Sequence, residues 1–355
     1  MLDKLYKDLL NNVNNGIQCV MLTYLEPDGD TKGSIKEKIL LTKSDIDNKT
    51  IPLEDSIYDS INNTISTGKI ETLNTENNKL VLIEPFFPKP RLIVFGGGHI
   101  AKPLVDFSSK VGFSVTIIDD RPYFANISRF PEAETVICED FKKSFDLINF
   151  RESDFVVIVT RGHRHDGLVL RNVLNHNLRY TGMIGSKRRV KGMMEELVSE
   201  GYTKEALDKV NSPIGLDIGA VTPDEIAISI VSQLIAFKNK GTIDNKNKKY
   251  SYPEFDNEVI SEIYKEDIMP KALLTILSSK GSVPRKAGAK MIAYFDGRTL
   301  GSIGGGCSEA EILYKARDLI HEGGYSVERV DMTGDVAEAM GMVCGGVMDV
   351  LIEIL

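Results

Sequence analysis

The sequence predicts an α/β protein in which a central parallel sheet, wound with helices on both faces, is flanked by two smaller α/β domains. Three observations predict it. Between Arg91 and Phe237 short β-branched runs alternate with helical patterns, the mark of βαβ units. The proline cluster "IEPFFPKPR" and the lysine- and asparagine-rich "KNKGTIDNKNKKYSYPEFDNE" bracket that region; the first cannot continue a central strand, and the second is too polar to pack. A length of 355 residues is also more than one hydrophobic core ordinarily organises. The expected boundaries are 1–88, 89–240, a linker at 241–263, and 264–355.

The first segment opens with "MLDKLYKDLLNNVNNG", an amphipathic helix with Leu2, Leu5, Leu9 and Leu10 on one side. It lacks the basic start and apolar core of a signal peptide. "CVMLTYL", "KEKILLT", "LEDSIYDSINNTISTGKIETL" and "KLVLIE" then read strand, strand, helix, strand. The last segment reads the same way through "ALLTILS", "AKMIAYF", "SEAEILYKARDLIHEGGYSVERV" and "MDVLIE". Either the first segment is a degenerate copy that kept the packing pattern and lost the loops, or short amphipathic segments coincide by chance.

In the middle, "RLIVF", "SVTIID", "ETVIC", "DFVVIVT" and "YTGMIG" are apolar runs suited to strands covered on both faces. Directly after the first comes Gly96-x-Gly98-x-x-Ala101, with His99 inside it and a helical pattern following. That order is Rossmann-like. Gly96 allows a tight turn, Gly98 lets a diphosphate approach the backbone, and the free N–H groups of the helix attract its charge. Asp119 and Asp120 end the second strand, where a carboxylate can accept from a ribose, and Arg121 leaves room for an additional phosphate. The competing reading is that the glycines only permit close packing and the aspartates only cap a strand. His163, His165 and Asp166 follow the fourth strand without a third ligand at metal spacing, so solvated loop histidines are expected and no metal site is assigned. Ser186, Lys187, Arg188 and Arg189 follow the fifth, either gripping an anion or forming an ordinary basic first turn. Thr222, Pro223 and Glu225 predict a capped helix start with Ile226, Ile230 and Leu234 facing the core.

In the last segment, Gly304, Gly305 and Gly306 precede Cys307, and Ser308 with Glu311 has capping-box spacing, so a helix is expected from about Ser308. A thiol just outside a helix N-terminus is shifted toward thiolate. Cys344 lies in a second glycine-flanked turn, and Lys280, Arg285, Lys286 and Lys290 form an anion-binding loop beside a strand. Against this stands the common role of free cysteine as a small buried hydrophobe.

A net charge of −8 argues against nucleic acid as a partner, and no apolar run is long enough to cross a bilayer. A cytoplasmic location is expected from the lack of a signal-peptide pattern, and in such a reducing compartment the four scattered cysteines should mostly be free thiols. One function class that these features leave open is an NAD(P)-dependent oxidoreductase; another is a nucleotide-sensing module without chemistry.

The motifs "VFGGGHIAKPL", "IIDDRPYFAN", "VTRGHRHD", "MIGSKRR" and "PIGLDIGAVTPDEIAISI", with "GSVPRKAGAKM", "GSIGGGCSEAEI" and "GMVCGGVMDVLIEIL", resemble the XdhC/CoxI accessory proteins of molybdenum hydroxylases such as xanthine dehydrogenase. The resemblance implies a Rossmann domain followed by a CoxI-like domain, the reverse of the more familiar order. It implies an accessory chaperone rather than an enzyme, one that binds molybdenum cofactor, as molybdopterin or its nucleotide form. Such a protein assists sulfuration of the cofactor with a cysteine desulfurase as donor and inserts the product into an apo molybdenum hydroxylase. Cys307 is then a ligand or sulfur contact, with Cys344 second, and a homodimer is expected.

Overall fold

The computed structural model describes residues 2–75, 80–240, 252–265, 269–281, 283, 285–304, 307–332 and 346–355, with the backbone alone for Leu2, Lys240, Cys307 and Ser308. The chain divides into two compact units, residues 1–88 together with 248–355, and residues 89–247.

In chain order the first segment forms α1 (Leu2–Asn14), β1 (Cys19–Pro27), β2 (Lys32–Thr42), α2 (Lys43–Asp47), α3 (Asp55–Thr67), β3 (Glu71–Asn74) and β4 (Leu80–Phe86). The middle unit follows with β5 (Arg91–Phe95), α4 (Ala101–Lys110), β6 (Ser114–Asp119), β7 (Thr135–Cys138), α5 (Phe141–Ser144) and β8 (Phe155–Ile158). It continues through α6 (His163–Val173), β9 (Tyr180–Met183), α7 (Lys187–Ser199), α8 (Lys204–Asp208), β10 (Val210–Asn211) and α9 (Pro223–Lys240). The last segment forms α10 (Asn257–Ile263), β11 (Lys271–Gly281), β12 (Lys290–Tyr294), β13 (Thr299–Gly301), α11 (Cys307–Glu322), β14 (Tyr325–Asp331) and β15 (Gly346–Ile354).

The middle unit is a six-stranded sheet in the order β10-β9-β8-β5-β6-β7, and every pairing is parallel. Counted from β5, this is the Rossmann order 3-2-1-4-5-6. Alternation sends Leu92 and Val94 of β5 to one face, with α4 and α9, and Ile93 and Phe95 to the other, with α6 and α7. All five expected strands are present; β10 has only two residues. The Thr222 cap closes as expected, since Glu225 N–H donates to the Thr222 hydroxyl at 3.3 Å and Thr222 N–H donates to the Glu225 carboxylate at 2.9 Å.

The first and last segments, expected as separate flanking domains, share one unit. Their strands pair in a nine-stranded sheet, β13-β12-β11-β15-β14-β2-β1-β4-β3, joined where β14 runs antiparallel to β2. The expected linker at 241–263 contributes structure as well, because Val259, Ile260 and Ile263 of α10 are buried. This sheet is rolled. Lys290 on β12 donates to Glu84 on β4 at 2.6 Å, yet six strand spacings of about 4.8 Å would hold those strands about 29 Å apart in a flat sheet.

The inner wall of the roll carries Cys19, Met21, Phe86, Leu273, Ile292 and Tyr294, closed by α1 and α10. Outside, α3 covers Val20, Leu22 and Ile83, and α11 covers Leu274, Met291 and Val350. Tyr6, Leu9 and Val13 anchor α1, with Leu5 and Leu10 packed at its margin. Among the described residues no helix is long and apolar enough to cross a membrane.

Candidate functional site

The C-terminal end of β5 and that of β8 border the point where strand order reverses, the place where open α/β sheets bind ligands. A cleft of about 450 Å³ opens there, lined by Gly98, His99, Arg121, Phe124, Thr160 and Arg161 among others. His99 and Pro223 also line an adjoining hollow of about 550 Å³ along α4.

The three glycines of the loop do different work. A Cβ on Gly96, whose φ is +108°, would meet the Val159 carbonyl oxygen at 2.4 Å, and one on Gly97 would meet the Phe124 carbonyl oxygen at 2.0 Å. Both serve close packing. At Gly98 nothing lies within 4 Å, so this backbone alone is open to a ligand. Ala101, the third small position, is fully buried at the start of α4. Arg129, which the sequence does not single out, ties the loop down from below by donating to the carbonyls of Gly97 at 3.2 Å and Gly98 at 3.3 Å.

Both aspartates are already engaged. Asp119 is 1% exposed and accepts from Gly97 N–H at 2.8 Å, from Arg121 N–H at 3.1 Å, and from the Arg121 guanidinium at 2.8 and 2.9 Å. Burial alone would raise its carboxyl, but these donors outweigh it and hold Asp119 below the usual carboxylate range. The residue expected to meet a ribose instead staples the glycine loop to β6. Asp120 accepts a bidentate pair from Arg161 at 2.6 and 2.8 Å. Arg121 also stacks on Phe124, with its guanidinium carbon 3.8 Å from the ring centre. The lip of the cleft is therefore two arginine–aspartate pairs and His99 beside the open Gly98 backbone, and with both carboxylates engaged it offers no free acceptor to a ribose diol.

Next to the cleft, Asp166 is buried and accepts from the Thr160 hydroxyl at 2.5 Å; burial holds its carboxyl above the usual range despite that bond. His163 and His165 open α6 and do not lie in a loop, and His165 packs edge-on against Phe141. Ser186 is the N-cap of α7, accepting from Arg189 N–H at 3.4 Å, which is the ordinary first-turn arrangement.

In the rolled sheet, the ends of β11, β13 and β14 and the start of β15 lie toward one end, as the pairs Gly281 with Gly346 and Asp331 with Val347 show. Cys307 begins α11 at that end, one residue before the expected start. Glu309, not Glu311, reaches back, accepting from Ile303 N–H at 2.9 Å and the Ser302 hydroxyl at 2.8 Å. Glu311 pairs with Lys315. Gly304 takes a φ of +141° and donates to the Ser302 hydroxyl. Gly305, Gly306 and Cys344 lie outside the described residues. Of the basic residues expected to hold an anion here, Arg285 is held by Glu254 at 2.6–2.7 Å and Lys290 is buried against Glu84. Of the glycine and cysteine positions, Gly304 and the Cys307 backbone lie at that end; Arg285 and Lys290 are spent on structure.

Residues 92–234 match the model of the XdhC Rossmann domain, and residues 268–331 match that of the XdhC and CoxI family. A Bacillus subtilis (strain 168) protein, named as a probable subunit of xanthine dehydrogenase, is 32% identical over 189 residues, which is 53% of this chain and 53% of the relative. The Escherichia coli (strain K12) protein YqeB, described as uncharacterized, is 28% identical over 152 residues, 42% of this chain and 28% of the relative. The chain thus spans about half the length of the first and just over a quarter of the second. Among solved structures, one described as a xanthine dehydrogenase from Bacillus halodurans is 24% identical, with a TM-score of 0.39, covering 64% of this chain and 92% of that one. With both of its characteristic domains matched in one polypeptide, the chain belongs to the XdhC and CoxI family.

Proposed function

We propose that this protein is an accessory factor for a xanthine dehydrogenase-type molybdenum hydroxylase: it binds molybdenum cofactor as cargo, assists its sulfuration with a cysteine desulfurase as donor, and delivers it to the apo-enzyme. Membership of the XdhC and CoxI family and the name of the Bacillus subtilis relative support the class of partner. The observation that carries the ligand reading is the switch-point cleft, where open Gly98 backbone faces Arg121, Arg161 and His99. The cargo supplies a molybdenum centre for the partner's chemistry and carries a phosphate. In this reading the phosphate takes the Gly98 N–H and shares Arg161 with Asp120, and Arg121 and Phe124 wall the cleft. The Cys307 thiolate, at the N-terminus of α11, contacts metal or sulfur and acts in a second step. An NAD(P)-dependent oxidoreductase fits less well, because Asp119 has no lone pair left facing a ribose.

The test is retention of freshly released cofactor through gel filtration, with pterin read by fluorescence and molybdenum by mass spectrometry. Near-stoichiometric retention is expected for wild type. Arg161→Ala, on an exposed side chain, should weaken it roughly tenfold or more, the worth of one charge-assisted contact. Cys307→Ser should keep the pterin and lose sulfuration. No retention by folded wild type overturns the reading.

A further inference from the structure

The two halves of the rolled sheet repeat each other in more than element order. Strands lie as β2-β1-β4-β3 in the first half and β12-β11-β15-β14 in the last, with β13 added outside β12. Matching the two orders brings Val81-Leu82-Ile83-Glu84 of β4 onto Val350-Leu351-Ile352-Glu353 of β15. The registers agree to the residue. In the first half Thr23 pairs with Lys38 on one side and Leu82 on the other; in the last, Thr275 pairs with Lys290 and Leu351. Chance similarity of short amphipathic segments does not produce matched partners on three strands at once.

Charge then crosses between the halves in both directions. Lys38 of the first half donates to Glu353 of the last at 2.6 and 2.9 Å, and Lys290 of the last donates to Glu84 of the first at 2.6 Å. These are equivalent positions, so each half offers the same lysine and the same glutamate and receives the other's. Side-chain exposures of 7% and 3% for one pair, and 5% and 11% for the other, place all four groups inside. Tyr6 completes the first pair, donating to Glu353 at 3.1 Å and accepting from Lys38 at 2.8 Å, and Thr275 accepts from Lys290 at 2.9 Å. Reciprocal contacts of this kind, i to j and j to i, are the mark of a two-fold interface between identical subunits.

We propose that this unit is a two-fold dimer fused into one chain, in which the first half occupies the place of a second copy of the loop-bearing half. The partner that this interface fits is therefore a second copy of the last half. Two of the connections are shorter in the first half: residues 28–31 join β1 to β2 and residues 75–79 join β3 to β4, where the last half has residues 282–289 and 332–345. A roll built from two loop-bearing halves would carry two sets of glycine and cysteine loops; this one carries a single set. The symmetry holds whatever ligand the protein carries.

Reversing charge by halves tests it in the full chain. Lys38→Glu with Glu84→Lys, or Lys290→Glu with Glu353→Lys, opposes like charges in both pairs. Each double variant should lose more than roughly 10 °C in unfolding midpoint or fail to accumulate. All four substitutions together restore both pairs with sign reversed and should recover at least half of that loss. The two double variants, tagged differently and co-expressed, are complementary only to each other and should purify as a 1:1 complex of twice the chain mass. A quadruple variant no better than the doubles overturns the reciprocal pairing. Co-expressed doubles that never copurify overturn the assignment of the interface to two copies.

Discussion

Asparagine at position 119 would keep the shape of the side chain and remove its charge. One carboxylate oxygen accepts Arg121 N–H and Nε, and the other accepts Gly97 N–H and Arg121 Nη2. Whichever way the amide of Asp119→Asn turns, its NH2 faces two donors. Breaking a buried charge pair costs about 3–5 kcal/mol, and because Arg121 is 32% exposed the lower end applies, about 3 kcal/mol after screening. For a protein of this size that lowers the midpoint of the middle unit's unfolding by roughly 6–12 °C.

The pH dependence carries a sign. The folded carboxyl is held below its ordinary value of 3.8, so its contribution is fully present above that value and is lost as pH falls through the lower, folded one. Wild type and variant should differ at pH 7 and converge in acid. Urea titrations across pH, with hydrogen exchange at the Gly97 amide, measure both. A difference under about 1 kcal/mol at neutral pH, or one that does not narrow in acid, would refute the view of Asp119 as the staple of the loop.

Two further outcomes follow from neighbouring geometry. Gly97→Ala forces its Cβ onto the Phe124 carbonyl and should destabilise by about 1–3 kcal/mol, whereas Gly98→Ala should stay within about 0.5 kcal/mol yet narrow the cleft, so calorimetric titration with cofactor should show weaker binding without loss of fold. Burial, with Asp45 nearby, pushes the Cys19 thiol up to about 12, so at pH 8 alkylation followed by peptide mass spectrometry should find Cys138, which is exposed, modified well before Cys19.

How legible the molecule was in its sequence depended on how local each signal is. The five longer strands of the middle sheet read directly because a strand buried on both faces must be apolar along its whole length, as Phe155–Ile158 is. Two residues at Val210 carry no such pattern. The Thr222 cap was readable because its partners lie three residues apart. By contrast, β14 meets β2 through only two registered pairs separated by most of the chain, and no local pattern announces that. The same holds for Lys290 and Glu84, which in sequence read as an anion-binding lysine and an ordinary strand glutamate. Asp119 was placed correctly at the end of its strand, but periodicity does not reveal that Arg121 would turn back onto it. Glu309 turns back onto Ser302 and Ile303, a contact six to seven residues away that the three-residue spacing of a capping box does not announce. Val259, Ile260 and Ile263 were hidden by the polar residues around them.

The rolled unit is interrupted by the whole of the middle unit, and β15, which lies between β11 and β14, is synthesised after every other strand of its sheet. At about 5–20 residues per second, roughly 10–50 s separate the emergence of β4 from that of β15 on the ribosome. Through that interval the middle unit can fold from one continuous stretch, while the first half waits with only α1 to cover the Lys38 and Glu84 face of its sheet. Premature pairing with another nascent chain is the hazard of such an order, and the buried charges on that waiting face keep it from being a plain apolar surface.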